Sequence, residues 1–161
     1  MDTDAAHKSR WEIAEVVLGI PFLIGIALHF IIPLSVPQGI LRQILLLVGI
    51  LLIAVGIGVI VSARRQFALF NQPTDPGHAT SQIIQTGLFA LSRNPLYLGG
   101  ILLLLGLALA LNRLWALLML PLSMIICLYV LILPEERYLA AKFGEEYEAY
   151  MASVRRWFGR K

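Results

Sequence analysis

Four stretches of this chain contain no Lys, Arg, Asp or Glu: Val16–Leu41, Gln43–Ala63, Leu96–Leu111 and Leu114–Leu133. A run of roughly 20 apolar residues crosses the hydrocarbon core of a bilayer. Inside lipid the backbone must satisfy its own hydrogen bonds, which a helix does unaided. The pattern therefore predicts an all-α integral membrane protein with about four transmembrane helices, arranged as two hairpins. Composition agrees, since 58% of the 161 residues are hydrophobic and 14% charged, whereas soluble domains run near ~25% charged. The length suits one membrane-embedded domain, residues 1–161.

Met1–Arg10 is polar and mixed in charge, and predicts a short cytoplasmic tail. The first span is expected at 13–32, closed by Pro33 and Pro37, with Pro21 as a possible kink. Its apolar stretch is longer than that of a secretory leader and lacks a small-residue cleavage site, so a retained span is expected. The second span is expected at 40–63, ending at Arg64-Arg65, with Gly49, Gly56 and Gly58 leaving room for close helix approach. The short connection pairs these two as an antiparallel hairpin. Residues 64–95 break the pattern as a cytoplasmic loop, turn-rich from Asn71 to His78. Spans at 96–111 and 114–133 form the second hairpin, with Pro121 inside the last and Pro134 ending it. Beyond it, 135–157 carries Leu139, Phe143, Tyr147, Tyr150, Met151, Val154 and Trp157 at helical spacing. Gly144 splits this amphipathic segment into two helices, and Glu145-Glu146 and Arg155-Arg156 suit the ends of the second. Alone, it resembles an interfacial helix lying along the headgroups.

Orientation follows from the cations. Lys8, Arg10, Arg64, Arg65, Arg93, Arg137, Lys142, Arg155, Arg156, Arg160 and Lys161 fall on one face, against Arg42 and Arg113 on the other. Both termini and the long loop are thus expected in the cytoplasm, and in a bacterium the membrane would be the inner one. No basic stripe with interleaved aromatics is present, which excludes nucleic acid as a partner. His7, His29 and His78 share no metal-ligand spacing, so no metal site is expected. Cys127, the single cysteine, is expected as a buried thiol.

Two polar clusters lie on the cytoplasmic face: Arg93-Asn94-Pro95-Leu96-Tyr97, flanked by Gly87 and Gly99, and Glu135-Glu136-Arg137-Tyr138. A hairpin of the third and fourth spans brings the start of one and the end of the other together. Singly, each residue has an ordinary reading. Arg93 can be a positive-inside anchor and Tyr97 part of an aromatic belt. Asn94-Pro95 can open a helix as cap and first residue, and Glu135-Glu136 can be a solvated pair.

Taken together, the residues resemble the membrane-embedded methyltransferases that include isoprenylcysteine carboxyl methyltransferase and phosphatidylethanolamine N-methyltransferase. The resemblance rests on Gly87, on Arg93-Asn94-Pro95-Leu96-Tyr97-Leu98-Gly99, on Glu135-Glu136-Arg137-Tyr138-Leu139, on Phe143-Gly144-Glu145-Glu146-Tyr147-Glu148-Ala149-Tyr150 and on Val154-Arg155-Arg156-Trp157. The prenylcysteine enzymes usually have His at Asn94 and Pro at Arg155, so those two positions depart from their pattern.

The resemblance implies an S-adenosylmethionine-dependent enzyme that methylates a lipid-like or isoprenoid acceptor at the cytoplasmic face. It implies cofactor contacts from Gly87, Leu88, Asn94, Tyr97, Glu135, Glu136 and Tyr147, and catalytic roles for Arg93, Glu135 and Arg156. A carboxylate acceptor would need Arg93 or Arg156 to orient it. An amine would need a base, Glu135 or a tyrosine. Two other classes compete: a small transporter, against which only His29 is ionisable within a span, and a scaffold without catalysis.

Overall fold

The computed structural model describes residues 14–72 and 80–161. The tail Met1–Arg10 and most of the turn-rich stretch Asn71–His78, with His7 and His78, lie outside the described residues. The elements are α1 (Ala14–Ile31), α2 (Ile40–Leu69), a 3-10 turn (Gly87–Ala90), α3 (Pro95–Ala110), α4 (Leu114–Cys127), a π turn (Leu128–Ile132), α5 (Leu133–Phe143) and α6 (Glu145–Ser153). Among the described residues there is no strand, and one isolated antiparallel bridge joins Val154 and Arg160.

Three helical stretches are long and apolar enough to cross a membrane: Ala14–Ile31, Ile40–Leu69 and the continuous run Leu114–Phe143. The fourth apolar helix, α3, has 16 residues. At about 1.5 Å per residue it falls short of the ~30 Å hydrocarbon layer. The fold is that of an all-α integral membrane protein.

The hairpins pack differently from the sequence expectation. α1 and α2 hardly touch; α2 lies along α3 and α1 along α4, with α3 against α4 between them. Glycines decide the first pairing. A Cβ at Gly56 would come within 2.7 Å of Leu103 N and 2.8 Å of the Gly99 carbonyl, and one at Gly49 within 2.7 Å of Ala110 N. Gly58, the third glycine of the set, faces open space. Small residues let two backbones meet where lipid offers no hydrophobic drive to do so.

The membrane face holding Arg42 and Arg113 is sewn by polar side chains. Arg42 donates to the Leu109 and Ala110 carbonyls at 3.3 and 2.6 Å, satisfying the open end of α3. Asn112 exchanges two 2.9 Å hydrogen bonds with the Val36 backbone, and Trp115 Nε1 donates to the Ile32 carbonyl at 2.8 Å.

Two helices overrun their expected ends. α2 continues through Arg64-Arg65 to Leu69, because nothing in Arg64–Leu69 opposes a helix. Pro134 does not end the fourth span either. The Leu133 N–H reaches past its α-helical partner to the Leu128 carbonyl, forming a π turn just before Pro134, and the helix runs on as α5. A residue without an N–H is accommodated where the ladder is already interrupted.

Gly144, at φ 54, does separate α5 from α6. α6 ends at Ser153, so Arg155 and Arg156 lie beyond it instead of closing it. The apolar stripe of this segment is not spread along headgroups. Tyr147, Tyr150 and Val154 are buried together against Ile83, Leu139, Ala140, Phe143 and Met151.

Candidate active site

The segment before α3 is shaped by Gly87, whose φ of +59 suits glycine and where a Cβ would come within 2.6 Å of the Gln66 side-chain amide. Gln66 also receives a 3.2 Å hydrogen bond from Thr86. The overrun of α2 therefore holds the 3-10 turn in place. Within that turn the Leu88 carbonyl accepts the N–H groups of Leu91 and Ser92. Phe89 is buried with Ala63 and Ile84, and its carbonyl accepts the Tyr150 hydroxyl at 2.7 Å.

Asn94 occupies the N-cap position of α3, followed by Pro95, but its side chain makes no cap hydrogen bond. Its Nδ2 donates instead to the Arg156 carbonyl at 3.1 Å. One helical turn on, Tyr97 donates its hydroxyl to Glu135 Oε2 at 3.1 Å. The two polar clusters thus meet, as the hairpin of α3 and the fourth span requires.

The second carboxylate is bound differently from the first. Arg156 grips Glu136 in a two-pronged pair, Nε to Oε1 at 2.9 Å and Nη2 to Oε2 at 2.7 Å. Arg93 Nη1 stands 3.0 Å from Glu136 Oε1, an ion pair whose angle falls short of a hydrogen bond. The Arg93 side chain is 7% exposed and that of Arg156 34%. Paired guanidiniums of this geometry stabilise a buried carboxylate that would otherwise be costly. Among the described residues, the ion pairs leave Glu135 without a cationic partner.

Arg93 Nε is buried and has no hydrogen-bond partner among the described residues. Beside it lies a cavity of about 60 Å³ lined by Arg93, Glu135, Tyr147, Tyr150, Phe67 and Phe89, with Thr80, Gln82, Ile83, Ile84 and Leu139 completing its wall. Burial pushes the Tyr147 hydroxyl up to about 12, with Glu136 adding to the shift and Arg93 opposing it. Burial likewise raises Tyr150, so both phenols stay neutral and able to donate. The hydrogen bonds that Arg156 donates to Glu136 hold the Arg156 guanidinium above its ordinary range.

Most of the residues singled out from sequence converge here. Arg93, Glu135 and Tyr147 line the cavity, while Asn94, Tyr97, Glu136 and Arg156 brace it from behind. Gly87 and Leu88 form the turn that presents Phe89. The lining residues Phe67, Ile83, Ile84, Phe89 and Tyr150 were not identified as site residues from sequence. Phe67 was hidden because the loop was expected to start at Arg64, and the others look like ordinary apolar positions.

A family model for phospholipid methyltransferases matches residues 44–146. The chain belongs to that family and is a membrane methyltransferase. The matched stretch contains Gly87, Arg93–Tyr97 and Glu135-Glu136, and ends before Tyr147 and Arg156 are reached. No curated protein and no solved structure matches the chain.

Proposed function

We propose that the chain is an S-adenosylmethionine-dependent methyltransferase acting on the amine headgroup of a lipid-like acceptor at the cytoplasmic face of the membrane. The observation that carries the choice of an amine is the division of labour between the two glutamates. Both arginines that could orient a carboxylate acceptor are ion-paired with Glu136, and the Arg93 Nε edge that remains is taken up by the methyl donor's own carboxylate. Among the described residues, Glu135 keeps a carboxylate facing the cavity with only the Tyr97 hydroxyl on it. An unpaired carboxylate attracts an ammonium group and, once the amine is seated, takes its proton.

The residues present suit the methyl donor in kind. The Arg93 Nε edge, without a hydrogen-bond partner among the described residues, can take its carboxylate, Glu135 an ammonium or hydroxyl, and Phe67, Phe89, Tyr147 and Tyr150 a flat ring. At about 60 Å³ the cavity is smaller than the ~300–1,000 Å³ of ordinary ligand pockets. When bound, the donor supplies an electrophilic methyl group on a sulfonium.

The protein's part is positioning and exclusion of water. Tyr97 fixes one oxygen of Glu135 and leaves the other to receive the amine proton. Arg93 is held in register by Glu136, whose carboxylate Arg156 also grips through both oxygens. The acceptor's tail stays in the bilayer. Gly87, Leu88 and Asn94 serve by shaping and fixing the wall.

Titration of the detergent-purified protein with S-adenosylmethionine and with its demethylated product tests the proposal. Saturable binding, weakened by Arg93→Ala and by Glu135→Gln, is the expected result. Folded wild-type protein that binds neither compound would rule the reading out.

A further inference from the structure

The last nine residues form a hook. After α6 the chain extends, turns at Gly159 (φ 99) and comes back on itself. Val154 bridges Arg160, Arg155 N–H donates to the Gly159 carbonyl at 2.9 Å, and Lys161 N–H to the Ser153 carbonyl at 3.0 Å. A two-stranded turn this small is marginal by itself. What holds it is the segment just before α3. Gly159 N–H donates to the Leu91 carbonyl at 2.7 Å and Arg93 N–H to the Arg155 carbonyl at 3.2 Å. The Arg156 carbonyl, at the centre of the contact, receives Asn94 Nδ2 at 3.1 Å and, more distantly, Ser92 Oγ at 3.5 Å.

We propose that Asn94 is a positioning residue: by donating to the Arg156 carbonyl it fastens the C-terminal hook, and the fastened hook keeps the Arg156 guanidinium on Glu136. The side-chain evidence is specific. Asn94 is 7% exposed, so its amide has lost most of its water and needs a protein partner. It stands where a helix cap would be, yet its amide points away from α3 and onto the tail. Arg156 is a third exposed and belongs to no helix. Without a fixed backbone its long side chain would leave the two-pronged pair to regain rotamer freedom. Glu136 would then be left to Arg93 alone, and Arg93 would be drawn from the cavity edge.

On this account position 94 requires an N–H donor of suitable reach, and it contacts neither the methyl donor nor the acceptor. The claim about the hook stands apart from the proposed function; the consequence for donor binding rests on it. Asn94→Asp keeps the shape but replaces the donor with an oxygen that faces a carbonyl. Asn94→His restores a donor. Arg156→Gln keeps the carbonyl and the hook while removing the guanidinium.

Hydrogen exchange of the C-terminal peptide reads the hook directly, through the amides of Arg155, Gly159 and Lys161. Loss of a buried hydrogen bond corresponds to about tenfold faster exchange. Asn94→Asp is expected to show that acceleration with a comparable rise in KM for S-adenosylmethionine and a smaller change in kcat. Asn94→His is expected to restore both. Arg156→Gln should raise KM without accelerating exchange. Unaltered exchange in Asn94→Asp, or a His variant as impaired as the Asp one, overturns the proposal. So does accelerated exchange with an unchanged KM. Failure of the wild type to bind the donor would instead remove the functional reading and leave the exchange result to decide the hook.

Discussion

At the scale of single residues, adjacent glutamates have opposite situations because an α-helix turns about 100° per residue. Glu136 faces two guanidiniums and is 8% exposed, while Glu135 faces Tyr97 and the cavity. Glu136→Gln should therefore act mainly on the fold. Removing one partner of a buried pair costs about 3–5 kcal/mol, and the third-exposed Arg156 puts this case at about 3. Thermal unfolding in detergent measures it, and a Glu136→Gln, Arg93→Gln double variant should lose less than the sum of the singles. Glu135→Gln should unfold near the wild-type temperature but fail in turnover.

Tyr147 gives a pH test at the same scale. Its folded value, about 12, lies above its ordinary 10.0, so the unfolded chain releases the proton first as pH rises. Stability from this group is intact below about pH 10 and falls between there and pH 12. Tyr147→Phe should flatten that part of an alkaline unfolding curve.

At the scale of elements, the π turn matters most. It adds one residue to the helical path between Cys127 and Glu135. Everything after it is turned by roughly 100° relative to an uninterrupted helix. That rotation sets which way Glu135 and Glu136 point. Deleting Val130 closes the bulge, but leaves Pro134 inside an unbroken helix, where its ring meets the carbonyl a turn back. The deletion alone should abolish donor binding, and the deletion combined with Pro134→Ala should recover most of it. A combined variant no better than the deletion, in folded protein, would contradict this reading of the turn.

Elements also show where sequence was informative. The apolar runs, the split at Gly144 and the meeting of the Arg93 and Glu135 clusters could all be seen in residue types and spacing. The continuation through Pro134 could not, because a proline ordinarily ends or kinks a helix, and a π turn has no sequence marker. The overrun of α2 was obscured by Arg64-Arg65, which resemble a membrane-edge stop but are also good helix formers. The Glu136–Arg156 pair joins residues 20 apart across a non-helical tail, beyond the reach of helical periodicity.

At the scale of the whole molecule, the order of packing is what a linear reading misses most. Chain neighbours α1 and α2 each choose a partner in the second hairpin, since α2 carries the glycines that match α3. Gly56→Leu would overpack that contact and should cost about 1–3 kcal/mol or more, read as a lower unfolding temperature. The same substitution at Gly58, which meets open space, should be nearly neutral. The excess of cations around both ends predicts that a tag at either terminus reports from the cytoplasm.

These scales meet in one assay: transfer of labelled methyl from S-adenosylmethionine into lipid by purified protein in bilayer discs containing an amine-headgroup lipid. The account predicts organic-extractable label with the wild type and little with Glu135→Gln or Arg93→Ala. It also predicts none when the lipid amine is blocked by acylation. Equal labelling by the wild type and both variants, or labelling that persists with the amine blocked, would contradict it.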